Sequence, residues 1–184
     1  MFRCYGIDYS MSCPCITGLT EESDSFVNSK VCYRIDSNKY TGKFQNIVGE
    51  LPEEYSHEIE RFTNIAKWAL NIVKDGDLVV LEDYSLGSKG RIFNVAENTG
   101  ILKHTLYHGG IKYICIPPTV IKKFATGKGN SDKIKMYEAF KKDQGIDLIK
   151  LLSFEKKISS PLTDIVDSYY IARYAFDQLK NKEI

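Results

Sequence analysis

Asp164 and Asp167 stand three residues apart in Leu162-Thr163-Asp164-Ile165-Val166-Asp167, a stretch whose pattern predicts a helix, so both carboxylates project from one helix face. Two further acids close apolar runs far upstream. Asp8 follows Phe2-Arg3-Cys4-Tyr5-Gly6-Ile7, and Glu82 follows Leu78-Val79-Val80-Leu81. Two strand ends and one helix face can bring four acids to a point. Gathered carboxylates repel each other unless cations sit between them, so the set predicts a divalent-metal site. Singly the acids are ordinary: Asp8 and Glu82 as turn or cap residues, Asp164 as a first-turn acid favoured by the helix dipole. Asp167 is less ordinary. It lies among Ile165, Val166, Tyr169 and Tyr170, and a buried acid without a compensating charge is costly.

The elements that must carry these acids follow from periodicity. After the first strand, Cys15-Ile16-Thr17-Gly18-Leu19 and Lys30-Val31-Cys32-Tyr33-Arg34-Ile35 predict two more, so the first three form an antiparallel meander. Residues 38–54 are turn-rich and read as loop. Ile59, Phe62, Ala66, Ala69 and Ile72 or Val73 recur at helical spacing, from a start at Pro52 or Ser56 to a stop at Asp75-Gly76-Asp77. The strand to Glu82 leads through a turn at 86–90 into a helix carrying Ile92, Val95, Ala96, Leu102 and Leu106. Residues 112–116 form another strand, closed by Pro117-Pro118, and 119–125 a short helix. Ser131 reads as the N-cap of a helix reaching Lys142, and the last helix starts near Pro161-Leu162. Strands in a block, then alternating helices and strands, predict a mixed-sheet α/β domain over residues 1–184.

Composition narrows the class. With 43% hydrophobic residues the chain can fill one core, and no apolar run is long enough to span a membrane. The N-terminus enters a strand pattern directly and shows no signal peptide. Five cysteines (Cys4, Cys13, Cys15, Cys32, Cys115) without paired Cys-x-x-Cys spacing imply reduced thiols and a cytoplasmic setting. Cys13 and Cys15 lack a third and fourth partner for zinc, and His57, His104 and His108 read as surface residues. The net charge of +1 is uninformative, but residues 122–142 hold seven lysines against two acids. A compact basic segment in a neutral protein is a candidate phosphate contact, or else a solvated helix face.

Taken together the motifs resemble the RuvC-type Holliday-junction resolvases of the ribonuclease H-like superfamily. Gly6-Ile7-Asp8-x-Ser10 looks like that family's first-strand motif, Val80-Leu81-Glu82 its central strand, and Asp164-x-x-Asp167 its final-helix acid pair. The most distinctive match is Val120-Ile121-Lys122-Lys123-Phe124-Ala125-Thr126-Gly127-Lys128-Gly129-Asn130-Ser131-Asp132-Lys133, similar to the family's lysine-rich loop. The resemblance implies a ribonuclease H-like mixed five-stranded sheet, antiparallel in its first three strands and flanked by helices. It implies that Asp8, Glu82, Asp164 and Asp167 hold two Mg²⁺ ions, with Mn²⁺ able to substitute, and that Lys122 and Lys133 are essential lysines. Lys123, Lys128 and Lys135 would join them on DNA, and Tyr84 matches an aromatic that stacks on an unpaired junction base. The departures lie in Tyr9, in Ser10-Met11-Ser12-Cys13-Pro14-Cys15, and in residues 22–58; they suit a divergent phage or viral branch in a bacterial or infected-host cytoplasm.

The implied activity is paired symmetric nicking of four-way DNA junctions, leaving 5′-phosphate and 3′-hydroxyl ends, by a homodimer with the 92–106 helix as candidate interface. No helix rich in Arg, Asn and Gln offers itself for reading bases, so selectivity is expected to track junction shape. Three rivals remain in view. A sugar-kinase or actin-type ATPase needs two such domains, more than 184 residues hold. A non-catalytic junction-binding module would have lost acids. A ribonuclease H or exonuclease, acting on RNA–DNA hybrids or other branched DNA, shares the acids but not the lysine-glycine loop.

Overall fold

The computed structural model describes residues 2–76, 78–83, 92–155 and 157–181. Its centre is β1 (Arg3–Asp8), which pairs antiparallel with β2 (Cys15–Thr20). Strand β2 in turn pairs antiparallel with β3 (Lys30–Arg34). On its other side β1 runs parallel to β6 (Leu78–Glu82), and β6 runs parallel to β7 (Tyr113–Ile116). These are the five expected strands, with the antiparallel meander as anticipated.

Two more strands correct that expectation: residues 38–54 are not simply loop. A 3-10 turn, Asn38–Tyr40, leads to β4 (Gly42–Phe44) and β5 (Ile47–Glu50), an antiparallel hairpin whose second strand lies parallel to β3. The sheet therefore has seven strands among the described residues, in the order β4-β5-β3-β2-β1-β6-β7. Strand β4 is only three residues long and mostly exposed, so no alternating pattern marks it. Pairing with distant residues makes these strands, and local sequence carries little trace of it.

Helices cover both faces. Each strand sends alternate side chains to opposite sides. On β1, Cys4 enters the core under α6 (Leu162–Lys180), while Tyr5 and Ile7 pack with α1 (Glu58–Val73) and α2 (Ile92–His108). The α6 side also takes α3 (Pro118–Thr126), α4 (Lys133–Gln144) and α5 (Leu148–Leu151). There Phe26, Phe140 and Tyr169 meet edge to face, an arrangement aromatic quadrupoles favour. Helix α1 begins later than expected, at Glu58, because His57 Nδ1 accepts the Glu60 amide at 3.2 Å and caps it. The cap of α4 is Asp132, not Ser131: the Asp132 carboxylate accepts the Lys135 amide at 2.9 Å. No described helix is long and apolar enough to cross a membrane.

Candidate active site

The alternation that builds the core also aims the first two acids. Asp8 lies on the same side of β1 as Cys4, and Glu82 on the same side of β6 as Leu78 and Val80, so both face α6. The two strands are parallel with Ile7 opposite Leu81, which makes Asp8 and Glu82 the next couple along the pair. Adjacent strands lie about 4.8 Å apart, so the register alone sets these acids side by side.

Helix α6 brings the other two. It can do so because Gly6 has no side chain: a Cβ there would stand 2.1 Å from the Ala172 amide nitrogen and 2.5 Å from the Ser168 carbonyl oxygen. The helix backbone therefore rests directly on β1. Buried polar contacts fix it in place. The hydroxyls of Thr17 and Ser168 share a hydrogen bond of 2.8 Å, and the Cys4 thiol donates to the Ala172 carbonyl at 3.6 Å. Asp164 and Asp167, one turn apart in the first half of α6, are thus held over the ends of β1 and β6.

The four acids feel one another. Burial raises the Asp8 carboxyl well above the usual carboxylate range, and Asp164, Asp167 and Glu82 push it further in the same direction. Burial likewise raises Asp167, with Glu82 and Asp164 adding to it, and raises Asp164 and Glu82. Asp164 is partly relieved by hydrogen bonds from the Ser160 and Thr163 hydroxyls, the latter at 3.3 Å. Among the described residues, no three acidic, thiol or imidazole side chains close on one point as a ready metal cage. The acids share an electric field rather than a finished coordination sphere. The donor set nonetheless suits a hard divalent cation: carboxylate oxygens only, Asp164 buried and the other three half-buried, and unfavourable when all are ionised without a cation.

Two lysines answer them. Lys133, the first residue of α4, lowers the pKa of all four acids; Lys122, on α3, lowers Glu82 and Asp167. The turn between α3 and α4 makes this possible. Gly127 ends α3 in the left-handed conformation (φ 77°), returning its amide to the Lys123 carbonyl, a geometry a side chain would strain. The Thr126 hydroxyl then pins the turn, with 2.6 Å to the Ser131 hydroxyl and 2.7 Å to the Lys122 carbonyl.

The remaining expected contact residues lie farther along the same two helices and their turn, or beyond the described residues. Lys123, Lys128 and Lys135 are exposed, as Lys133 is, and Lys135 pairs with Asp132 at 3.7 Å. Tyr84 lies outside the described residues. His104 and His108 are exposed, and all five cysteines are free. Two residues near the acids escaped sequence reasoning. The Cys13 thiol is hydrogen-bonded to Asp164, and burial, followed by Asp164, pushes its pKa up. Thr163 links Lys133 to Asp164. Thr163 carried a legible signal, a hydroxyl beside an acid at a helix start; Cys13 carried none.

No family model matches the chain, and no curated protein matches it in sequence. Solved structures do match. A Thermus thermophilus RuvC structure superposes with a TM-score of 0.61 at 13% identity, covering 98% of this chain and 97% of that one. The chain has the RuvC fold. T. thermophilus RuvC in complex with a Holliday junction substrate matches equally, with a TM-score of 0.62, 15% identity and 95% of each chain covered. The likeness to RuvC spans the sheet and both helical layers, and at these identities it is a likeness of fold.

Proposed function

We propose that this protein is a metal-dependent endonuclease that resolves four-way DNA junctions by paired nicks. The observation that carries the proposal is the convergence of Asp8, Glu82, Asp164 and Asp167 at the ends of the adjacent central strands β1 and β6, within the field of Lys133, in a RuvC-type fold. Asp8, Glu82, Asp164 and Asp167 would hold two Mg²⁺ or Mn²⁺ ions, which when bound supply Lewis acidity for phosphodiester hydrolysis. Four ionised carboxylates offset two divalent ions, so the scissile phosphate needs further positive charge. Lys133 supplies it, together with the amides at the start of α4, where the helix dipole is positive. Lys122 adds a second cation beside Glu82 and Asp167. Ser160 and Thr163 hold Asp164 in position through hydrogen bonds to its carboxylate.

A four-way junction presents two equivalent phosphates about a two-fold axis, so a homodimer matches it with one site for each. Helix α2 is the proposed interface. It buries Leu102 and Leu106 toward α1, while Phe93 and Tyr107, fourteen residues apart and hence on one helical face, are 79% and 74% exposed. The test is a synthetic four-way junction beside a linear duplex, each with Mg²⁺ and with EDTA. Symmetric nicks in the junction only, and only with Mg²⁺, are expected. An uncut junction or an equally cut duplex overturns the proposal.

A further inference from the structure

The segment Ser10-Met11-Ser12-Cys13-Pro14-Cys15, which departs from the RuvC pattern, leads from β1 into β2, where Cys15 stands opposite Asp8. It is tied down at three points. The Ser10 hydroxyl accepts the Cys13 amide at 2.9 Å, and the Met11 carbonyl accepts Arg61 of α1 at 2.8 Å. The Pro14 carbonyl accepts the Arg34 amide of β3 at 3.1 Å. A connection held in this way presents its side chains in fixed directions. Cys13 is 1% exposed and enters the core beneath α6, where its thiol donates to the Asp164 carboxylate. Asp164 is thus held from two sides. The Ser160 and Thr163 hydroxyls reach it from its own end of α6, and Cys13 reaches it from the β1–β2 connection.

We propose that Cys13 is a positioning residue, whose thiol fixes the Asp164 carboxylate beside Asp8 and so raises the affinity of the four-acid site for a divalent cation. The inference rests on the proposed metal-dependent nuclease function and gives the atypical segment its task there. Position supports it. Asp164 is the acid that acts most strongly on Asp8, so a turn of its carboxylate alters the pair that one cation would share. Groups that hold a ligating carboxylate in place are worth roughly 10- to 100-fold in metal affinity or activity. The residue type supports it too. A thiol is nearly apolar and can be buried against the core, yet it donates a hydrogen bond. It also adds no charge to four acids that already repel one another.

The experiment compares wild type with Cys13→Ser, which keeps a donor, and Cys13→Ala, which keeps none. Mn²⁺ binding is read without DNA, from the electron paramagnetic resonance signal of the free ion. Nicking of a four-way junction is read against Mg²⁺ concentration, and urea unfolding in EDTA checks the fold of each variant. Cys13→Ala should bind Mn²⁺ about tenfold more weakly and need about tenfold more Mg²⁺ for half-maximal nicking. Cys13→Ser should recover most of that loss. A cysteine that only fills space predicts the opposite order, because a hydroxyl is costlier to bury than a methyl. Equal Mn²⁺ affinity in all three proteins, or Cys13→Ser no tighter than Cys13→Ala, overturns the role of Cys13 whatever the nicking rates. Should Cys13→Ala fail to fold, Ser10→Ala, which releases the Cys13 amide, should weaken Mn²⁺ binding about threefold, and unchanged affinity overturns the proposal. Mn²⁺ affinity in the expected order, in a protein that nicks no junction, keeps the role of Cys13 and overturns the nuclease function. A wild type that binds no Mn²⁺ overturns both.

Discussion

The Lys133 ammonium donates to the Thr163 hydroxyl across 3.4 Å, and that hydroxyl donates onward to Asp164 Oδ2 at 3.3 Å. One side chain thus joins the start of the lysine helix to the start of the acid helix. Their separation is set by a contact between the two elements and not by either alone. The same lysine lowers the pKa of all four acids, so its loss is felt by the whole cluster.

Lys133→Ala should therefore lower the nicking rate by roughly 100-fold or more while affinity falls only a few-fold, since binding spreads over many phosphate contacts. Thr163→Val, which breaks the link but keeps the volume, should cost roughly 3- to 10-fold in rate. Single-turnover rates at saturating protein decide it. Full recovery of Lys133→Ala at saturation would mean that the lysine only positions DNA.

Asp8→Asn, Glu82→Gln, Asp164→Asn and Asp167→Asn should each abolish nicking while junction binding in EDTA persists. Each removes one ligand charge and keeps the shape. Gel shift and nicking on the same junction separate the two effects. Near-wild-type cutting by the Asp8 or Glu82 variant would dismantle the four-acid site.

Stability should respond to pH in a direction the cluster dictates. Burial first, then Glu82 and Asp164, lift Asp167 from 3.8 to about 7. A carboxyl whose pKa is higher folded than unfolded removes stability as it ionises, so its cost is absent near pH 4 and complete above about pH 7. In EDTA, Asp167→Asn should match wild type near pH 4 and exceed it by on the order of 1–3 kcal/mol at pH 8. Mg²⁺ should then stabilise wild type more than the variant. Urea unfolding at both pH values measures this; a variant less stable than wild type at pH 8 contradicts it.

Gly6→Ala should destabilise the fold by on the order of 3 kcal/mol, because the new methyl meets helix backbone and not a flexible side chain. Any folded fraction should nick poorly, with α6 lifted from β1. Denaturant melts and nicking rates test both parts. A fully active, wild-type-stable variant would show that the close seat of α6 is unnecessary.

Phe93→Glu and Tyr107→Glu should shift the protein toward monomer in sedimentation, at little cost to the fold, since both side chains are largely exposed. Paired nicking should give way to slow single nicks. An unchanged dimer would place the interface elsewhere.

Much of the candidate site was legible in the chain because it depends on local patterns. Short apolar runs assign Asp8 and Glu82 to strand ends, and a spacing of three puts Asp164 and Asp167 on one helix face. Residue type alone identifies the lysine-glycine turn. Tertiary structure decided whatever depends on partners distant in sequence. Strands β4 and β5 exist through pairing at the β3 edge, and short, partly exposed strands leave no alternation to detect. Asp132 rather than Ser131 caps α4, because the Ser131 hydroxyl is engaged by Thr126. Lys122 and Lys133 act on the acids through their charge while Lys135 pairs with Asp132, a division made by how α3 and α4 pack and not by residue type. Burial decides how strongly these charges act on one another, and burial is a property of the folded chain.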